Sequence, residues 1–145
     1  MLNKYLSKET MQHAKSVESW EKAIAYAAEP LLEKGVIEES YIKSMIDSVE
    51  ENGPYIVLKD YFALPHAKAG VGVNEVGMSL LTLDDPVDLK GNPVKLFLVL
   101  AAVDSSAHLE ALSEISEILM DDESYAIFLS GDLNDITKLI TKGDD

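Results

Sequence analysis

Cysteine and arginine are both missing from this chain of 145 residues. The first absence excludes disulfides, thiolate metal sites and a cysteine nucleophile. The second leaves lysine as the whole basic complement: 12 basic residues against 26 Asp and Glu, for a net charge of −14. So acidic a chain, with no guanidinium fork for phosphates, offers no footprint for nucleic acid or for anionic membrane surfaces. Long apolar runs are missing too. No stretch approaches the length of a bilayer span, and Met1-Leu2-Asn3-Lys4 opens no apolar signal core. The expectation is a soluble, intracellular protein with no direct membrane insertion. Repeats, linkers and low-complexity segments are also lacking, so residues 1–145 read as a single domain, long enough to bury a sizeable core.

What is present is an alternation of elements. Residues 1–15 are polar and weakly patterned, and read as a short helix or a frayed arm. Val17, Trp20, Ala23, Ile24, Ala27, Leu31 and Leu32 recur at helical spacing, which predicts a helix over 18–34, with Pro30 kinking it or splitting off its last turn. A second helix follows Glu38-Glu39-Ser40, with Ile42, Met45, Ile46 and Val49 inward, and Asn52-Gly53-Pro54 ends it. From Tyr55 the character changes. Tyr55–Leu58 and Tyr61–Leu64 are β-prone, and Glu75–Leu83 is a further strand closed by a turn at Asp84-Asp85-Pro86. Val94–Val103 is the most apolar run, suited to a central strand covered on both faces. Asp104-Ser105-Ser106 caps a helix lined by Leu109, Leu112, Ile115, Ile118 and Leu119. Two short helices follow, one from Asp121 through Leu129 and one over Asn134–Lys142. Strands in the middle with helices between and around them make an α/β sandwich.

Two histidines stand out. Pro65 fixes its own φ and pushes Leu64 into an extended conformation, so His66 is presented on a turn just past a strand. Small residues and glycines follow through Gly72, which suggests an open rim. A neutral imidazole there can attack phosphorus or a carbonyl, bind a metal or accept a proton. His108 falls in the first turn of the helix after the apolar strand. If the strands ending at Leu64 and Val103 run parallel, both histidines stand over the carboxyl edge of the sheet, where open α/β sheets bind ligands. The helix N-terminus favours anions and a neutral His108. His13 lies in the polar N-terminal region and reads as a surface residue.

Leu64-Pro65-His66-Ala67, preceded by Tyr61-Phe62-Ala63, resembles the active-site signature of enzyme IIA domains of the mannitol/fructose class. These belong to the bacterial phosphoenolpyruvate-dependent sugar phosphotransferase system. The resemblance spans the whole chain. Gly53-Pro54-Tyr55-Ile56-Val57-Leu58 and Ala101-Ala102-Val103-Asp104 look most like the L-ascorbate-specific branch. It implies a three-layer α/β/α sandwich around a mixed sheet of about five strands, and a cytoplasmic phosphocarrier. His66 would take a phosphoryl group from the carrier HPr and pass it to a Cys on a IIB component, with His108 supporting the phosphoryl group. The membrane IIC component would take part indirectly. No cofactor and no metal is implied. Relatives often place an Arg near the phosphohistidine, and only Lys68, just after the motif, offers a cation here. The missing Cys puts the IIB acceptor on another polypeptide. Three rival readings fit the same residues: a regulatory, nitrogen-type enzyme IIA acting by protein binding; a metallohydrolase using His66, His108 and Asp104; and a binding module with incidental histidines.

Overall fold

The computed structural model describes residues 2–141. Five strands form one mixed sheet: β1 (Met11–Ala14), β2 (Val57–Lys59), β3 (Tyr61–Ala63), β4 (Gly77–Leu89) and β5 (Asn92–Ala101), in the order β1-β4-β5-β3-β2. Helices α1 (Trp20–Glu33) and α2 (Glu39–Asn52) precede β2, and α3 (Ser105–Met120), α4 (Asp122–Ser130) and α5 (Leu133–Thr141) follow β5. The predicted helix over Asn134–Lys142 thus appears as α5, with Lys142 outside the described residues.

The apolar run becomes β5, third of the five strands. Its side chains alternate between two cores. Phe97, Val99 and Ala101 enter the core shared with α1 and α2, while Leu96, Leu98 and Leu100 enter the core shared with α3, α4 and α5. A strand buried on both faces has no polar side to show, which is why the run is continuous. Each such large side chain contributes about 1.5–3 kcal/mol by burial. The result is the three-layer α/β/α sandwich that the resemblance implies.

Three expectations need correction. Residues 2–14 are not one short helix or a frayed arm: two 3-10 helices, Leu2–Lys4 and Lys8–Thr10, lead into the unforeseen strand β1, which pairs in parallel with β4. The strand is too short, at four residues, to show a period. Asp84-Asp85-Pro86 is not a turn but a bulge inside β4, where the register shifts between Thr82 and Val87. Pro86 has no N–H for the ladder and is tolerated at such an irregularity. The true turn is Lys90-Gly91, both at positive φ, as a two-residue hairpin loop requires. Leu109 does not face inward. It is 66% exposed, and Ala111 takes the buried position on α3 with Ile115.

Helix α1 runs through Pro30 without splitting, to Glu33. Pro30 lacks the N–H that would bond the Tyr26 carbonyl one turn earlier. Gln12 of β1 supplies the missing donor: its Nε2 lies 2.8 Å from Tyr26 O.

Candidate functional site

Strand β3 pairs in parallel with β5, so the chain leaves both strands at one edge of the sheet. Leu64-Pro65-His66 follows β3, and Asp104 caps α3 directly after β5, its Oδ1 accepting the Ala107 N–H at 2.9 Å. His66 and His108 thereby meet, with ring centroids 5.2 Å apart in an edge arrangement.

The His66 turn is stitched to the sheet beyond the last ladder pair. Leu100 N–H donates to Pro65 O at 3.0 Å, and Leu64 N–H donates to Ile56 O at 2.8 Å. The imidazole is tied as well: Nδ1 lies 2.7 Å from Leu64 O. A carbonyl only accepts, so Nδ1 carries the proton. Nε2 then holds the lone pair, and it has no hydrogen-bond partner among the described residues. Leu64 O is therefore the backbone acceptor that fixes the tautomer. Burial, and after it the neighbouring His66, holds the His108 pKa below the usual histidine value. That agrees with the neutral His108 expected at a helix start.

Both rings line an open cavity of about 560 Å³ that also takes in Ser48, Asn52, Tyr55, Ala67, Lys68, Ala69, Ser105 and Leu109. None of these lining residues is a carboxylate, in a chain with 26 of them. The polar groups offered are hydroxyls, an amide, imidazoles and one ammonium, a set suited to an anion. Lys68 is exposed on the rim.

Four side chains around the histidine turn were given no role at the site from the sequence. Tyr41 is buried on α2; its hydroxyl accepts Ala67 N–H at 3.1 Å and donates to Leu100 O at 2.6 Å. Burial pushes its pKa up to about 12, so it keeps the proton it donates. Tyr55 places its hydroxyl 3.1 Å from His66 O and 2.8 Å from Ser48 Oγ, with its ring edge-on to His66 at 5.4 Å. Asn52 donates to Ser48 O at 3.0 Å. A tyrosine at a helix-to-strand junction looks like ordinary strand sequence, so no local signal marks Tyr55. The glycines do less to open a rim than expected. A Cβ at Gly72, which has φ +77°, would lie 3.0 Å from Ser40 Oγ and 3.2 Å from Tyr41 Cβ, so this glycine admits α2 to the loop.

Away from this cavity, His13 is exposed on β1, with Nδ1 2.6 Å from Thr82 Oγ1 and Nε2 3.0 Å from Asp84. Among the described residues no group of three or more His, Asp or Glu is placed to hold a metal. Asp104, the third ligand of the metallohydrolase reading, is engaged as the α3 cap. No helix among the described residues is long and apolar enough to cross a membrane.

The fold is a mixed α/β/α sandwich with two histidines meeting over the strand ends, and comparison with known proteins gives its class. The family model described as "Phosphoenolpyruvate-dependent sugar phosphotransferase system, EIIA 2" matches residues 4–143, and the chain belongs to that family as an enzyme IIA component of a sugar phosphotransferase system. It is 36% identical over 124 residues to the mannitol-specific cryptic phosphotransferase enzyme IIA component of Escherichia coli K12, covering 84% of each chain. It is 32% identical over 112 residues to the ascorbate-specific PTS system EIIA component of the same strain, covering 74% of this chain and 73% of that one. The solution structure of the mannitol-specific cryptic enzyme IIA CmtB from Escherichia coli superposes with a TM-score of 0.90 at 33% identity, over 98% of this chain and 99% of that one. Enzyme IIA of the Escherichia coli mannitol system, in its complex with phosphorylated IIB, shares the fold at a TM-score of 0.78 and 20% identity, over 93% of this chain and 96% of that one.

Proposed function

We propose that the chain is a cytoplasmic phosphocarrier, one domain over residues 1–145, in which His66 Nε2 accepts a phosphoryl group from phospho-HPr and yields it to a Cys on a separate IIB component. The observation that carries this reading is the Nδ1–Leu64 O bond, which fixes the tautomer and leaves Nε2 as the nucleophile. The Nε2 lone pair forms a bond to phosphorus while the donor's N–P bond breaks and the donor ring leaves with that electron pair. Nδ1–H then carries positive charge, and Leu64 O accepts from it. In the second half the IIB thiolate attacks phosphorus, the Nε2–P bond breaks, and His66 returns to its neutral tautomer. Such transfer asks mainly for positioning and charge stabilisation. His108 supplies the latter as a neutral N–H donor beside the phosphoryl oxygens, together with the backbone N–H groups that begin α3. The IIB partner is supported by the complex of the mannitol enzyme IIA with phosphorylated IIB. The sugar this reading favours is L-ascorbate, on the motifs at Gly53–Leu58 and Ala101–Asp104 and on the ascorbate-specific relative. The mannitol-type relative is no less similar, so uptake of each sugar in a deletion strain is the discriminating assay.

The test incubates the protein with phosphoenolpyruvate, enzyme I and HPr and maps the phosphohistidine. His66→Ala is expected to take no label while its circular dichroism stays unchanged. His108→Ala is expected to take label and pass it on slowly. Undiminished labelling of the His66 variant defeats the assignment, and label on His108 reverses the two roles.

A further inference from the structure

The peptide bond between His66 and Ala67 is held at both ends by tyrosine hydroxyls. Its N–H donates to Tyr41 Oη at 3.1 Å, and its C=O accepts from Tyr55 Oη at 3.1 Å. A peptide unit is planar, so fixing both ends removes rotation about the His66 ψ and the Ala67 φ. The direction of the His66 side chain follows from that backbone, and the Nδ1–Leu64 O bond completes the restraint.

The two ends are unequal. Tyr41 is buried, and its own proton goes to Leu100 O on the central strand. It is a fixed anchor. Tyr55 is 40% exposed and stands in the cavity wall. Its hydroxyl polarity is nevertheless determined. The His66 carbonyl can only accept, so Tyr55 gives its proton there. The Tyr55 oxygen then accepts from Ser48 Oγ at 2.8 Å, and Asn52 Nδ2 lies 3.0 Å from Ser48 O and 3.5 Å from Ser48 Oγ. A directional chain of donors thus runs from the last turn of α2 to the backbone of the histidine. The same Tyr55 ring meets the His66 imidazole edge-on.

From this arrangement the geometry points to Tyr55 as a positioning residue for His66, aligned by Ser48 and Asn52, that aims Nε2 along the line of phosphoryl transfer. It deepens the phosphocarrier reading and rests on it for its kinetic consequence. With no arginine in the chain, orientation of the nucleophile carries a share of the work that a guanidinium clamp would otherwise do.

The experiment compares wild type, Tyr55→Phe and Ser48→Ala. Phe keeps the ring and removes only the oxygen. We expect phosphoryl acceptance from phospho-HPr to slow by about tenfold, with the KM for phospho-HPr unchanged. In 15N spectra of the unphosphorylated protein, His66 should pass from a single Nδ1–H tautomer to a mixture. Ser48→Ala should move both readouts in the same direction and less far, and it decides the matter if Tyr55→Phe does not fold. Wild-type rates and an unchanged tautomer overturn the proposal. So does a raised KM with an unchanged tautomer, which would make Tyr55 a docking residue. A wild type that takes no label defeats the phosphocarrier reading alone, and the tautomer comparison, which needs no partner, still decides whether Tyr55 positions His66.

Discussion

His108 stands in the first turn of α3 with its ring edge-on to His66, 5.2 Å between centroids. Its place at a helix start led to the expectation of a neutral ring, and burial beside His66 depresses its pKa in the fold. The unfolded chain holds histidine near its ordinary value of about 6.5. Above that value both states are neutral and His108 contributes no pH dependence. As pH falls through 6.5 toward the lower folded value, the unfolded state binds the extra proton first, and the native state loses stability. Urea unfolding at pH 7.5, 6.5 and 5.5 should therefore show wild type losing stability on acidification relative to His108→Ala, with no divergence above neutrality; equal slopes would refute the assignment of that sensitivity to His108. The two histidines were legible because Pro65 and the Asp104 cap are local signals with fixed geometry. Tyr41 and Tyr55 were not legible. They reach the histidine turn only through tertiary packing, and spacing in the chain carries no trace of it.

Among the elements, the long periodic ones were legible and the irregular ones were not. Helices α1 and α2 and strand β5 carry patterns that burial imposes directly. Strand β1 does not, since four residues on an edge, paired in parallel with a partner about seventy positions away, give no period to read. The bulge in β4 was mistaken for a turn because Asp-Asp-Pro is turn chemistry, and the ladder resumes at Val87 only because β5 lies alongside. The same edge strand explains the tolerance of Pro30 in α1. Gln12 donates to the carbonyl that Pro30 leaves without a helical partner. Gln12→Ala should then destabilise the protein by about 1 kcal/mol in chemical denaturation, the net worth of one hydrogen bond. In a Pro30→Ala background the helix regains its own donor, and the cost should shrink. Equal costs in both backgrounds would show that Gln12 does not compensate for the proline.

For the molecule as a whole, the distribution of charge matters more than its sum. The net charge is −14, yet the cavity around His66 has no carboxylate in its lining. Glu51, Asp104 and Glu110, which adjoin the lining residues Asn52, Ser105 and Leu109 in sequence, are exposed. Apolar surface lies close to the same opening, with Leu109 at 66% and Val103 at 40% exposure. An apolar patch beside a mouth without carboxylates, on a molecule of net charge −14, suits a partner that brings a phosphorylated side chain within a positive surround. On the proposed phosphocarrier reading, donor and acceptor must each reach the same Nε2 and leave again, so they would use one face in turn and not hold it together. Opposite charges on this acidic molecule and such a partner accelerate encounter, and salt screens them over about 10 Å at 0.1 M. Raising salt from 50 to 500 mM should lower the association rate with HPr and with IIB by on the order of tenfold. The dissociation rate, set by the apolar patch, should change little. Stopped-flow fluorescence measures both rates, and NMR titration of each partner into labelled protein should move the same signals around His66. Simultaneous binding on separate patches, or association rates indifferent to salt, would rule out a shared, electrostatically steered face.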